Sequence, residues 1–308
     1  MAPRNSDLAA GHCGATKIRK GDVPMTGFAV LPAAVGVYGG GRMGAGIAHA
    51  FLAAGTQVVI VEMDESAAEA ARERVERNIV MADRRGGVNR RPEEVLASFR
   101  TATDASALAG CGLVVEAVPE SVELKVSVLD EVERAVPEAV LATNTSSLSV
   151  NSLAAALARP DRFIGLHFFN PVPASELVEI VIGTATSTEL TTAARAWIAA
   201  LGKTAITVTD SPGFASSRLG LALALEAMRM LEDGVASAED IDTAMTLGYK
   251  HQMGPLRTTD VVGLDVRLAI AEHLATEVGD RFQPPAILRD KVSAGQLGRK
   301  TGQGFYAW

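Results

Sequence analysis

A chain of 308 residues that is 48% hydrophobic and 21% charged is long enough for two domains with buried cores and too apolar for extended disorder. Its net charge of −7 argues against a nucleic-acid partner, which needs a basic face to neutralise phosphates. Two cysteines, no C-x-x-C pair, no histidine-rich cluster and no apolar run near membrane-spanning length argue against a disulfide framework, a metal site and an integral membrane protein, and make a reducing cytoplasm the expected compartment.

Residues 1–33 mix Gly, Pro, Ser and charge without a period and lack the apolar core of a signal peptide, so a flexible extension is expected there. From Val35 a short strand, "AVGVYGGG", runs into "RMGAGIAHAFLAAG", which has helical spacing and stops at Gly55. "QVVIVEMD" then reads as a second strand. The joint carries Gly39, Gly41 and Gly44 in G-x-G-x-x-G spacing. Gly39 permits the tight turn, Gly41 lets backbone approach a pyrophosphate, and Gly44 lets the helix pack close to the strand. Arg42 and Met43 share this turn as candidate cofactor contacts. The glycines alone describe any flexible turn. Strand, glycines, helix, strand and a terminal acid, Glu62, in that order describe a dinucleotide site. A carboxylate there accepts bonds from ribose hydroxyls and repels a 2′-phosphate, so NAD is expected rather than NADP.

The segment from Asp64 to Arg100 alternates acids and arginines at helical spacing around "RRGGVNRRP" and reads as an inserted helical hairpin. Its charges form a solvated face, or Arg84 and Arg85 meet the phosphates of a bulky anionic ligand. Beyond it come a strand in "GLVVEAVPE" ending at Glu120, a helix through "ELKVSVLDEVERAV", and strands in "AVLATNTSS" and "RFIGLHFF". Such alternation predicts an α/β fold: a Rossmann-type, doubly wound, mostly parallel sheet with its ligand at the carboxyl ends of the strands. Glu120, Asn144 to Ser147 and His167 all fall at such ends. A lone histidine on a strand is an ordinary core or edge residue, and only this convergence marks His167.

"TAITVTDSPGF" is a strand followed by Pro-Gly punctuation, after which "ASSRLGLALALEAMRMLEDG" is a long apolar helix and the rest reads as helices. The expected division is a dinucleotide-binding domain over 34–209 and a smaller all-α domain over 210–308. A helical domain this small buries part of its surface against a second copy, and a homodimer through it is expected.

Six segments in order, "GGGRMGAGIA", "LVVEAVPE", "ATNTSSLSV", "DRFIGLHFFNPVPASELVEI", "DSPGFASSRL" and "GRKTGQGFYAW", resemble the L-3-hydroxyacyl-CoA dehydrogenases, including the bacterial 3-hydroxybutyryl-CoA enzymes. The resemblance runs from about residue 34 to the end. It implies reversible NAD-dependent oxidation of a 3-hydroxyacyl-CoA, with His167 as catalytic base, Glu179 as its partner carboxylate, and Ser146 near the reacting oxygen and nicotinamide. It further implies cofactor contacts from Glu120, Lys125, Asn170 and Lys300. Glu62 stands where the family usually has an aspartate. The chemistry accounts for the dyad: removing a hydride from an alcohol leaves a proton for a base, and a carboxylate on the other ring nitrogen steadies the imidazolium. The Asn-Pro break at Asn170 and Pro171 turns the chain so that "ELVEIVIG" returns beside "FIGLHFF".

Two positions depart from the pattern. Ser217 replaces an asparagine that holds the substrate oxygen in the family, and Glu176 stands where apolar or basic residues are usual at the mouth of the site. Ser217 keeps open a second enzyme reading, a dehydrogenase of a free hydroxy acid of the carnitine or gulonate type. A third reading, a non-catalytic NAD-binding structural protein, has no use for His167, Glu179 and Ser146.

Overall fold

The computed structural model describes residues 31–84 and 90–308. Nearly all of the expected N-terminal extension, and Arg85, lie outside the described residues.

Short apolar strands and helices alternate from Ala34. The first six elements are β1 (Ala34–Tyr38), α1 (Arg42–Ala53), β2 (Gln57–Val61), α2 (Glu65–Arg84), α3 (Pro92–Leu96) and β3 (Phe99–Ala102). After them come β4 (Leu113–Glu116), α4 (Val122–Ala135), β5 (Val140–Thr143), α5 (Val150–Ala154), β6 (Phe163–Phe168), β7 (Leu177–Ile182), α6 (Thr188–Ala200) and β8 (Thr204–Thr209). The eight strands form one sheet in the order β3-β2-β1-β4-β5-β6-β7-β8. Pairing is parallel from β3 to β6; β7 runs antiparallel to β6, and β8 is parallel to β7.

The apolar runs follow from this placement. Every residue of β4, β5 and β6 is buried, as strands covered on both faces require. One core joins the sheet to α1, α2 and α6 through Phe51, Ile79 and Trp197; the other joins its opposite face to α4 and α5 through Leu129 and Leu153. The strand order reverses between β1 and β4, which opens a crevice at their carboxyl ends.

Two expectations change in detail. The segment from Asp64 to Arg100 carries two helices packed on each other, the long α2 and the short α3, but its last residues open an edge strand, β3, that the expected helical hairpin did not include. Only Phe99 of β3 is buried, and one buried residue in four leaves no alternation to read. The strand in "GLVVEAVPE" ends at Glu116, so Glu120 sits on the turn beyond it.

After the sheet come α7 (Ser216–Glu232), α8 (Ala238–Thr243), α9 (Pro255–Val262), α10 (Leu264–Val278) and α11 (Ala286–Ser293). They enclose their own core, in which Leu221, Met228, Leu256 and Leu274 are fully buried. The last residues are fastened to α9, where the Asp260 carboxylate accepts bonds from the Phe305 and Tyr306 amides and the Trp308 indole.

Candidate active site

Antiparallel pairing of β6 with β7 places His167 directly opposite Glu179, and side chains so paired share one face of the sheet. The result is a 2.7 Å hydrogen bond between His167 Nδ1 and Glu179 Oε2, with His167 7% and Glu179 0% exposed. A histidine, an Asn-Pro break and a glutamate twelve residues on thus converge because the chain doubles back. Glu179 also accepts bonds from the Ser216 hydroxyl (2.8 Å), the Ser216 amide (2.8 Å) and the Ala215 amide (3.2 Å). These amides open α7, which has no side-chain cap of its own, so one acid meets the unpaired donors and the positive end of the helix. Burial opposes ionisation of Glu179, but the bonds from His167 and Ser216 outweigh it and hold the carboxyl below its usual value of 4.5. An ionised carboxylate only accepts, so Nδ1 donates and Nε2 is left to take a proton.

Two aromatic rings confine the imidazole. Phe169 stands 4.5 Å and Phe214 5.7 Å from it, centroid to centroid. Phe214 has φ +47°, a left-handed conformation that costs a bulky residue about 1–3 kcal/mol. The "SPGF" turn holds this strain beside the imidazole.

The second group is built on the turns after β4 and β5. Glu120 Oε1 accepts from the Thr145 hydroxyl (2.7 Å) and from the amides of Ser146 (2.9 Å) and Ser147 (3.1 Å). Its carboxyl is likewise held below the usual value: desolvation opposes ionisation, and the Thr145 bond and Lys125 outweigh it. Beneath it lies Lys125, 1% exposed, with Nζ 2.7 Å from Glu116 Oε1, 3.2 Å from the Val118 carbonyl and 3.4 Å from Glu120 Oε2. Glu116 also accepts from the Thr143 hydroxyl at 2.6 Å and the Val118 amide at 2.7 Å. Asn144 Oδ1 accepts from the Phe168 amide at 2.9 Å, which ties the Ser146 turn to the His167 strand.

At the reversal point, Gly39 has φ +94° and donates to the Val61 carbonyl at 2.9 Å. A Cβ on Gly44 would stand 1.8 Å from the Gly39 carbonyl oxygen, so α1 starts this close to β1 only with glycine there. A Cβ on Gly41 would meet nothing within 4 Å, and α1 begins without a side-chain cap. Free first-turn amides and an unencumbered approach suit a pyrophosphate. Glu62, just past β2, accepts from the Gly40 amide at 2.6 Å.

A cleft of about 340 Å³ has Met43 of the first turn of α1, Val118, Glu120, Ser146, His167 and Asn170 in its walls, while Gly39, Gly41, Arg42, Gly44 and Glu62 lie outside them. Lys125, Lys300, Ser217 and Arg84 are not among its lining residues. Lys300 is paired with both oxygens of Asp265 at 2.6 Å, Arg84 ends α2 in an exposed position, and Ser217 is half-buried in the first turn of α7. Sequence reasoning missed Ser216 and Glu116, and it placed Asn144 at a strand end without seeing its bond to the Phe168 amide. An acid closing an otherwise apolar strand, "LVVE", with a lysine nine residues on was a usable signal for Glu116.

A glycine turn shaped for a dinucleotide, and beside it a cleft whose wall carries an imidazole braced by a carboxylate, fit hydride removal from an alcohol. The class is that of the dinucleotide-dependent dehydrogenases. The comparisons narrow it: the family model described as "3-hydroxyacyl-CoA dehydrogenase, NAD binding domain" matches residues 34–211, and the corresponding "C-terminal domain" model matches residues 213–308. A probable 3-hydroxybutyryl-CoA dehydrogenase of Deinococcus radiodurans is 40% identical over 275 residues, covering 89% of this chain and 99% of that one. The mitochondrial hydroxyacyl-coenzyme A dehydrogenase of Sus scrofa is 38% identical over 289 residues, covering 91% and 92%. The crystal structure of (S)-3-hydroxybutyryl-CoA dehydrogenase from Ralstonia eutropha superimposes with a TM-score of 0.86 at 39% identity, covering 90% and 99%. The chain belongs to the 3-hydroxyacyl-CoA dehydrogenase family, and its cofactor is NAD.

Proposed function

We propose that the chain oxidises a short- or medium-chain L-3-hydroxyacyl-CoA to the 3-ketoacyl-CoA, with His167 as general base and Glu179 as the carboxylate that orients it. The observation that carries this reading is the 2.7 Å bond from His167 Nδ1 to Glu179, on a strand whose histidine lines the cleft. When bound, NAD would supply the hydride acceptor. Gly39, Gly41, Arg42, Met43, Gly44 and Glu62 hold its adenosine and pyrophosphate, and Glu120, Ser146 and Asn170 its nicotinamide end. His167 Nε2 takes the hydroxyl proton as C–O becomes C=O, and Glu179 stabilises the resulting imidazolium. Ser146, fixed through its amide by Glu120, orients the substrate oxygen. Lys125 acts through Glu120 and the Val118 turn rather than by direct contact, and Lys300 contributes from the helical domain. Ser217, with a shorter stem than asparagine, makes a weaker substrate contact, and Arg84 meets the phosphates of coenzyme A.

Initial rates decide the reading. NADH formation is expected with 3-hydroxybutyryl-CoA and not with free 3-hydroxybutyrate, and NADP in place of NAD is expected to be a poor substitute because the Glu62 carboxylate repels its phosphate. Activity on the free acid alone would replace this reading with the hydroxy-acid one.

The helical domain exposes Leu219 (70%), Leu247 (67%) and Tyr249 (75%). Apolar side chains left in solvent on one small domain support a homodimer formed through it, and sedimentation is expected to give twice the chain mass at micromolar concentration. We place the enzyme in the cytoplasm, a compartment that keeps its two cysteines reduced. Among the described residues no helix is long and apolar enough to cross a membrane.

A further inference from the structure

The donors that Glu179 collects are divided between its two oxygens. Oε1 accepts from the Ser216 amide at 2.8 Å and the Ala215 amide at 3.2 Å. Oε2 accepts from His167 Nδ1 at 2.7 Å and from the Ser216 hydroxyl at 2.8 Å. The residue is 0% exposed, so these donors stand in for solvent. Two backbone amides at a helix start are rigidly placed, and together on Oε1 they aim the carboxylate without help. The hydroxyl is not needed for that aim. It goes to the oxygen already committed to the imidazole.

A donor on an ionised acceptor draws charge from it, and in a buried site that dipole acts more strongly than in water. The Ser216 hydroxyl is one of the bonds that hold the Glu179 carboxyl below its usual value. An oxygen drawn on in this way is a weaker partner for an imidazolium. The charges on the surrounding elements are engaged elsewhere. Arg218 of α7 turns its guanidinium to the Ser211 hydroxyl at 2.7 Å and the Pro212 carbonyl at 2.6 Å. Glu120, on the turn beyond β4, is met by Lys125 at 3.4 Å. The strand β8 pairs its Ile206 with Glu179 and has no charged residue, and Asp210 just past it accepts from the Ser149 hydroxyl and the Asn151 amide. The balance at Oε2 therefore lies between His167 and Ser216.

We propose that Ser216 is a positioning residue that acts through Glu179: by sharing Oε2 with His167, its hydroxyl limits how strongly the carboxylate holds the imidazolium and leaves Nε2 free to take the substrate proton at neutral pH. The inference rests on the reading of His167 as general base, and it names the group that sets the strength of that base. With Oε2 given to the imidazole alone, the ring would hold its proton over more of the neutral range. A general base works best when its proton affinity matches the working pH.

A matched pair of variants tests it. Ser216→Thr keeps the hydroxyl, and Ser216→Val has the same shape without it and fills the space that a donating water would need. Single-turnover rates of NADH formation from 3-hydroxybutyryl-CoA are expected to fall on the acid side in the native chain, where the base is protonated. That limb should move up by about 0.5 pH unit or more in Ser216→Val, the differential part of one hydrogen bond, and stay within about 0.2 unit of the native position in Ser216→Thr. NADH affinity should not change in either. If the branched pair fails to fold, Ser216→Cys, with the shape of serine and a thiol that donates weakly, carries the same expectation as valine. A native profile with no acid limb would overturn the proposal, and so would a limb that stays put or moves down in Ser216→Val, or moves equally in Ser216→Thr. A lower Tm for Ser216→Val with an unmoved limb is the mark of a hydroxyl that only occupies a buried lone pair, and overturns it too. If His167→Gln keeps both the rate and the limb, the underlying reading falls and the inference with it. A limb lost in His167→Gln but unmoved in Ser216→Val removes the inference alone.

Discussion

Replacing His167 by Gln is expected to lower kcat on 3-hydroxybutyryl-CoA by roughly 10² to 10⁴, the usual worth of a positioned general base. NADH affinity should stay within about twofold, since the proposed adenosine and pyrophosphate contacts, at the glycine turn and Glu62, make no contact with the imidazole. Glutamine keeps a donor for Glu179 Oε2, now 2.7 Å from Nδ1, so the four bonds to Glu179 need not be lost and the fold has no cause to fail. Single-turnover rates beside a fluorescence titration with NADH separate the two quantities. Near-native single-turnover rates in His167→Gln would show that some other group removes the proton.

Lys125→Met is expected to be the most damaging substitution for stability away from the dyad. Lys125 and Glu116 are each 1% exposed and 2.7 Å apart. Removing the ammonium leaves a buried carboxylate with only the Thr143 hydroxyl and the Val118 amide, and breaking such a pair costs about 3–5 kcal/mol. For a chain of this size that corresponds to a fall in Tm of about 10 °C. Methionine retains most of the stem, so lost packing contributes little. Converting the acid too, in Glu116→Gln with Lys125→Met, should recover most of the loss, because the uncompensated charge has gone. A single variant that melts within about 2 °C of the native chain would mean that the charge pair contributes no net stability. Activity should suffer as well, since the same ammonium lies 3.4 Å from Glu120, which holds the Ser146 amide.

What was legible in the sequence has a local cause. The glycine turn could be read because its tasks are written in three positions of one joint, and the meeting of His167 with Glu179 because the family resemblance implies the pair and the Asn-Pro break allows the return that brings them together. What stayed hidden depends on partners distant in the chain. Nothing near Ser216 announces that its amide and hydroxyl serve an acid 37 residues earlier. Lys300 reads as a free cation until Asp265, 35 residues before it, is seen to hold it. β3 went unread because its edge placement asks for one buried side chain, not an alternating set.

The four bonds to Glu179 have a mechanical meaning. One oxygen faces His167, on the sheet, and both oxygens take donors from the start of α7, on the helical domain. The acid is therefore a shared fastening between the sheet and α7, and the placement of α7 and the orientation of the imidazole are coupled through it. A rotation that draws α7 away lengthens the bonds at Ser216 first, returns an unpaired negative charge to a buried site, and loosens the imidazole. A substitution that weakens the first turn of α7 is therefore felt at the imidazole through Glu179, without touching the sheet.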